Sequence, residues 1–391
     1  MGRLDDGRVV FVPLGAPGDT VLVELVQQRR SFCRGELVRL LEPGPDRRDA
    51  SCALFGRCGG CQWQHVRYDA QLWAKQQIVS HAVDPAATSI AAADELGYRG
   101  RARLHWRRDD RGVVLGFMRR GSREVVDVAA CPLWVSAIQA GVAACRDALR
   151  VMPRGTGGTA VLLAGTTALH ISLKSRGPEV ARLAPALQRS GAFAGGQVVF
   201  GAPPDGPVVS FGATAVECDG LWASGGGFFQ ANPAQDRRLR AVVQELAGSA
   251  GSTLELFAGV GNLTRGLRAE RVVAVESSAI ATALLQRNTE VMHPPVTVVH
   301  GMAEEQVALR RRRGERFDLV LMDPPREGCS PALLRDVSQI AGRVVYVSCD
   351  PMTLARDLSL LAAAGRTRVT SVFVDMMPQT YHVEGVVLVD Y

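Results

Sequence analysis

Cys349 stands where its neighbours could make it a nucleophile. The run Val344-Val345-Tyr346-Val347-Ser348 reads as a strand delivering the thiol to its carboxyl end, with Asp350 a helix N-cap and Pro351 the first helical position. A sulfur at a helix N-terminus is drawn toward thiolate, the form that attacks electrophilic carbon. An inert buried thiol is the commoner fate of a free cysteine, and the local sequence leaves both readings open. Phe317–Met322 likewise runs into Asp323-Pro324-Pro325-Arg326, a carboxylate and a rigid turn at a strand end, unless the prolines merely end the strand. His382 and Glu384, two apart, would share one face of an extended chain. In partly apolar surroundings Glu384 could serve as a general base; a solvent-facing glutamate is the alternative.

Cys52, Cys58 and Cys61 sit on one glycine-rich stretch, so three thiols could wrap an iron–sulfur cluster or a tetrahedral zinc ion. Cys131, followed by Pro132, is preferred as the fourth ligand over Cys145 and Cys33. Further on, Thr253–Phe257 reads as a strand entering Ala258-Gly259-Val260-Gly261-Asn262, where glycines admit a ligand close to the backbone before a helix begins. The next strand ends at Glu276, placed to accept hydrogen bonds from ribose hydroxyls. A dinucleotide fingerprint would need a third glycine where Thr264 stands, which favours an adenosyl cofactor over NAD. A bare strand-to-helix turn without ligand is the plainer reading of such a loop.

The elements that must position these groups are legible in outline. The first 45 residues alternate apolar and polar positions between Gly/Pro turns, a small β-unit, and Pro43–Arg48 reads as a linker. Helical periodicity runs from Tyr68 to Val79, a strand-rich region from about Tyr98 to Gly220, and Pro203–Pro207 reads as a turn. From Thr253 onward Val/Leu-rich runs alternate with helical stretches, the rhythm of a doubly wound parallel sheet with ligands at its carboxyl edge. Between Arg99 and Arg107 basic residues occupy alternate positions, which as a strand gives a stripe of Arg99, Arg101, Arg103, His105 and Arg107 suited to phosphates or, equally, a charge-guarded edge. The 391 residues are 47% hydrophobic and 21% charged with a net charge of +6, which excludes a disordered chain and permits a polyanionic partner. Arginine supplies nearly all the positive charge, lysine occurring only at Lys75 and Lys174. No apolar run is long enough for a bilayer and no signal segment opens the chain, so a cytoplasmic protein with reduced cysteines is expected.

Taken together, Gly226-Gly227-Phe228-Phe229-Gln230-Ala231-Asn232, the Leu256–Asn262 loop, Asp323-Pro324-Pro325-Arg326, Ser348-Cys349-Asp350-Pro351 and His382-Val383-Glu384 resemble, in order and spacing, the RNA 5-methyluridine methyltransferase family. The resemblance extends back through the cysteine segment. It implies three domains: an OB-like TRAM β-barrel over 1–45 with a shortened first strand, a central RNA-binding domain over 46–226 with the cysteine cluster, and a Rossmann-like class I methyltransferase domain over 227–391. It implies S-adenosylmethionine as methyl donor, Cys349 as the nucleophile that adds to uracil C6, and Glu384 as the base that removes the C5 proton. Gln230, Phe257, Asn262, Glu276 and Asp323 fall on positions that line the cofactor and the target base. Cys131 falls on the family's fourth ligand position, and a [4Fe-4S] cluster is favoured over zinc. Cluster-bearing members point to large-subunit ribosomal RNA first and transfer RNA second, with a monomeric enzyme expected. An amino-group methyltransferase and a non-catalytic RNA-binding protein are the rivals. Asp350, where asparagine is common, would raise the thiol pKa. Met302 replaces an acidic or amide residue, and Met377 and Gln379 stand where an aromatic and a histidine are common.

Overall fold

The Val- and Leu-rich runs of the C-terminal half assemble into one eight-stranded sheet in a computed structural model of the chain, which describes residues 1–4, 6–175, 182–200 and 208–390. The turn expected at 203–207 lies outside the described residues. In spatial order the strands are Val296–His300, Arg268–Glu276, Ser249–Leu256, Phe317–Met322, Ala341–Ser348, Glu384–Asp390, Thr367–Val374 and Thr88–Ile90. All neighbours pair in parallel except Glu384–Asp390, which is antiparallel to both strands beside it. The chain order reverses between Ser249–Leu256 and Phe317–Met322, and at such a switch point the loops diverge to leave a crevice at the carboxyl ends.

Alternation along the strands feeds two cores, because helices cover both faces. Leu319 and Leu321 pack against Leu239 and Val243 of helix Pro233–Ala247. Val320 and Met322 face the other way, toward helices Ala303–Arg312, Pro331–Ile340 and Pro351–Ala363. Thr88–Ile90 adds to the outer edge of this sheet and helix Tyr68–Ala82 precedes it, so the C-terminal unit also draws on residues outside 227–391. The helix expected directly after the Gly259–Gly261 loop does not form. Residues 258–266 make successive turns instead, and Gly259, Gly261 and Gly266 take φ of 58, 92 and 85°, outside helical dihedrals.

The middle of the chain forms a seven-stranded sheet whose central strand, Gly157–Ala164, pairs with Leu169–Ser175 and Arg101–Asp109. Ala102, Leu104 and Trp106 point into its core against helix Ser136–Ala148, while of the expected stripe Arg103 and Arg107 are exposed, Arg99, Arg101 and His105 are partly buried, and Arg101 donates to the Gly227 carbonyl (3.0 Å). Gly2–Arg3, Val9–Phe11, Phe32–Glu42 and Thr20–Gln28 form a separate four-stranded sheet in that order, its first strand two residues long. No pairing closes it into a barrel among the described residues, and Val10 and Cys33 are its fully buried apolar side chains. No helix among the described residues is long and apolar enough to cross a membrane.

Candidate active site

Antiparallel register brings the two candidate catalytic groups together. Ser348 pairs with Gly385 at the end of the two strands, which brings Cys349 and Glu384 near enough at the carboxyl edge of the sheet for the Glu384 charge to act on the thiol. Asp350 caps helix Pro351–Ala363 as expected, accepting the amides of Met352 (3.0 Å) and Thr353 (2.9 Å). Cys349 is nonetheless not held as the ready thiolate expected of a thiol at a helix start. Burial and then the nearby Glu384 charge push the thiol up to about 11, with Arg326 pulling it back. Glu384 is itself buried, and desolvation followed by the Asp323 charge raises its carboxyl well above the usual range.

Asp323, at the end of Phe317–Met322, joins Gln230, Phe257, Asn262 and Glu255 around a small cavity at the switch point. Burial, then Asp236, lifts the Asp323 carboxyl to about 7. Phe257 holds a left-handed φ of 60° where the strand turns into the glycine loop, strain of the kind retained at binding sites. Asn262 is fixed from behind: its Nδ2 donates to Asp236 (2.7 Å) and its Oδ1 accepts from Arg240 (3.0 Å). Glu276 does not line the cavity. Its carboxylate accepts the amides of Gly259 (2.9 Å) and Ser278 (2.6 Å), and so braces the loop.

Glu255 and Asp236 are functional candidates that the sequence reading missed. Glu255 is buried with one oxygen lacking a hydrogen-bond partner among the described residues, and burial raises its pKa to about 8. Its signal was available: a carboxylate inside the apolar strand Thr253-Leu254-Glu255-Leu256. Orphaned carboxylate oxygen, recessed acids and the rings of Phe228 and Phe257 together suit a ligand that is cationic and carries an aromatic group.

The loop before Glu384 is held by an unusually complete polar clamp. Lys75 and Asp375 form an ion pair of 2.7 Å with both side chains fully buried, and Tyr68 donates to the other Asp375 oxygen (2.9 Å). Lys75 also donates to the Met377 carbonyl (3.0 Å). Gln379, at φ 69°, accepts the amides of Gln62 (3.0 Å) and Trp63 (2.9 Å) on its carbonyl, while its own amide N–H donates to Gln71 (2.9 Å). The side-chain amide of Gln379 accepts from Gln71 and Arg48 and donates to Glu95, uses that a neutral histidine could not all supply. His382 follows the bend at Thr380 and Tyr381 and lies two residues before the strand that starts at Glu384. Burial, then Arg326, lowers its pKa to about 4.

Cys52, Cys58, Cys61 and Cys131 line one largely apolar pocket with Arg99 and Phe117, whereas Cys145 is buried in the central core and Cys33 in the first sheet. Burial pushes Cys61 up to about 12 and raises Cys58 and Cys131. As they stand, no three side chains of metal-ligating type converge on one point among the described residues. The donor set nonetheless fits a thiophilic centre: four thiols on one pocket, with the Gly60 amide donating to the Cys58 sulfur (3.4 Å).

A doubly wound sheet with one antiparallel strand third from its edge and an acid-lined pocket at its switch point is the fold of class I S-adenosylmethionine-dependent methyltransferases. Residues 223–391 match the family described as tRNA (Uracil-5-)-methyltransferase. The 23S rRNA (uracil(1939)-C(5))-methyltransferase RlmD of Salmonella typhi is 32% identical over 98% of this chain and 91% of its own. An uncharacterized RNA methyltransferase of Thermosynechococcus vestitus is 30% identical over 99% of this chain and 94% of its own. In structure the chain superimposes with a TM-score of 0.78 on the Pyrococcus abyssi tRNA (uracil-54, C5)-methyltransferase in complex with S-adenosyl-L-homocysteine, at 23% identity over 99% of this chain and 98% of that one. The chain belongs to the RNA uracil-5-methyltransferase family. It is an S-adenosylmethionine-dependent enzyme that methylates uracil C5 in RNA.

Proposed function

We propose that the chain forms 5-methyluridine in large-subunit ribosomal RNA, as a cytoplasmic monomer, with Cys349 and Glu384 as its catalytic pair. The register that ends at Ser348–Gly385, and so brings Cys349 and Glu384 to one edge of the sheet with Asp323 close to both, is the observation that supports this reading. The ribosomal substrate follows the Salmonella relative; transfer RNA is the substrate named for the Pyrococcus structure. Gln230, Phe257, Asn262 and Asp323 hold the cofactor and target base, and Glu276 supports the glycine loop against the cofactor.

The cofactor supplies an electrophilic methyl group. Cys349 Sγ, deprotonated, bonds to uracil C6, and the electron pair of the C5–C6 double bond shifts toward C5 and O4. C5 would then bond to the methyl carbon as that carbon's bond to the sulfonium sulfur breaks, the electron pair leaving with the sulfur. Glu384 takes the C5 proton, the double bond re-forms, and the C6–S bond breaks to return the thiolate. Arg326, whose charge lowers the Cys349 and Glu384 pKa values, favours both ionised forms.

Glu384→Gln is expected to block only the second half. Turnover should fall by roughly 10²–10⁴-fold, and a methylated RNA–protein adduct that survives denaturing gels should accumulate. Turnover within a few-fold of wild type would remove Glu384 from the mechanism. A second expectation concerns pH. Asp323 and Glu255 have folded pKa values raised to about 7 and about 8, so their ionisation opposes folding as pH rises through that window. A bound sulfonium lowers both values, so cofactor affinity should strengthen from pH 6 to 8 with release of protons. Calorimetry in buffers of different ionisation heat reads this directly, and flat affinity would place these acids outside the cofactor's reach.

Cys52, Cys58, Cys61 and Cys131 would hold the [4Fe-4S] cluster, or zinc as the alternative, with protons displaced from the buried thiols. The cluster would serve structure, since the methylation consumes no electron. Unmodified ribosomal and transfer RNA, incubated with labelled cofactor and digested to nucleosides, test the whole reading. Label in 5-methyluridine from ribosomal RNA supports it, and label in an N-methylated nucleoside would identify the amino-group rival.

A further inference from the structure

Tyr381 is a large aromatic side chain left 52% exposed three residues before Glu384. Its ring lies 4.8 Å from the half-buried imidazole of His382, which backs it. The loop beneath is fixed by the amides of Gln62 and Trp63 on the Gln379 carbonyl and by Thr380 donating to Met377 (2.7 Å). An exposed ring on so rigid a support has little conformational freedom to lose when something stacks on it.

Tyr381 also stands where two clefts meet. One is bounded by Arg103, His105, Arg119, Arg120 and Arg123, and no acidic residue among the described ones lines it. The other runs under the first sheet past Phe11 and Arg34, and Arg119, Arg120 and Tyr381 line it as well. Arg119, Arg120 and Arg123 belong to the exposed turn at Gly121, between Gly112–Met118 and Val125–Asp127, where the Arg119–Glu124 pair (3.4 Å) is solvent-exposed and weak. Guanidinium groups leading to a bare aromatic face form the combination that holds single-stranded nucleic acid: charge for the phosphates, a ring for a base.

We propose that Tyr381 is the stacking platform for a nucleotide flanking the target uridine, and that the Arg119–Arg123 turn grips the phosphates leading to it. This rests on the reading of the chain as an RNA uracil methyltransferase. The platform fixes the strand next to the flipped uridine, so that Cys349 meets C6 rather than a neighbouring base.

The test uses RNA substrate carrying 2-aminopurine beside the target uridine. Tyr381→Ala should raise KM for RNA by roughly 10- to 100-fold, with kcat changed far less, and should abolish the quenching of 2-aminopurine on binding. Tyr381→Phe should restore both. Replacing Arg120 and Arg123 together by alanine should reduce the slope of log Kd against log salt by roughly 1.4. Unchanged KM and quenching in Tyr381→Ala, or a Tyr381→Phe enzyme as impaired as the alanine variant, would overturn the platform while 5-methyluridine formation by wild type stands. Absence of 5-methyluridine with the wild-type protein would overturn the underlying reading along with it.

Discussion

Cys349→Ala is expected to lower uracil methylation by at least about 10⁴-fold without unfolding the protein. Uracil C5 is too weak a nucleophile to take a methyl group from a sulfonium unaided, so the covalent bond to C6 supplies most of the activation. The side chain is half-buried at a sheet edge, outside the two cores that flank the strands, so its truncation leaves their packing intact. Single-turnover methylation beside thermal unfolding separates chemistry from folding. A variant that folds and methylates within tenfold of wild type would leave Cys349 without a catalytic role. Since burial and Glu384 hold the thiol near 11, the wild-type rate should climb between pH 7 and 9 as thiolate forms.

The largest stability loss is expected at Lys75. Its ammonium and the Asp375 carboxylate are both fully buried at 2.7 Å, and burial is the main influence lowering the Lys75 pKa. Lys75→Met leaves a carboxylate in the interior with Tyr68 and the Met377 amide as its remaining donors. Breaking such a pair costs about 3–5 kcal/mol. Because the pair anchors the loop leading to Glu384, residual folded protein should also lose activity. Pairing Lys75→Met with Asp375→Asn removes the stranded charge and should recover much of the loss. Urea unfolding measures both, and a single variant within about 1 kcal/mol of wild type would mean water reaches the pair.

What could be read from the sequence was local. The strands ending at Glu276, Met322 and Ser348 declare themselves through apolar runs, and Asp350 as a cap through its place before Pro351. What escaped reading depends on segments far apart in the chain. Thr88–Ile90 joins a sheet edge made by Thr367–Val374, and Lys75 meets Asp375 across 300 positions. The thiol's elevated pKa has the same origin: a helix start argues for thiolate, but burial and Glu384, brought from another strand, outweigh it. Gln379, which stands where a histidine is common, is the joint between the cysteine segment and the catalytic loop. The loop after Gly261 misled because two glycines signal a helix N-terminus equally well as a series of turns.

The most direct measurement is to incubate the enzyme and S-adenosylmethionine with RNA in which 5-fluorouridine replaces uridine, then digest and weigh the linked peptide. Fluorine cannot leave C5 as a proton, so wild type should stall with the methylated base bonded to Cys349. Linkage at any other residue, or no linkage from an enzyme that methylates ordinary RNA at full rate, would contradict the account.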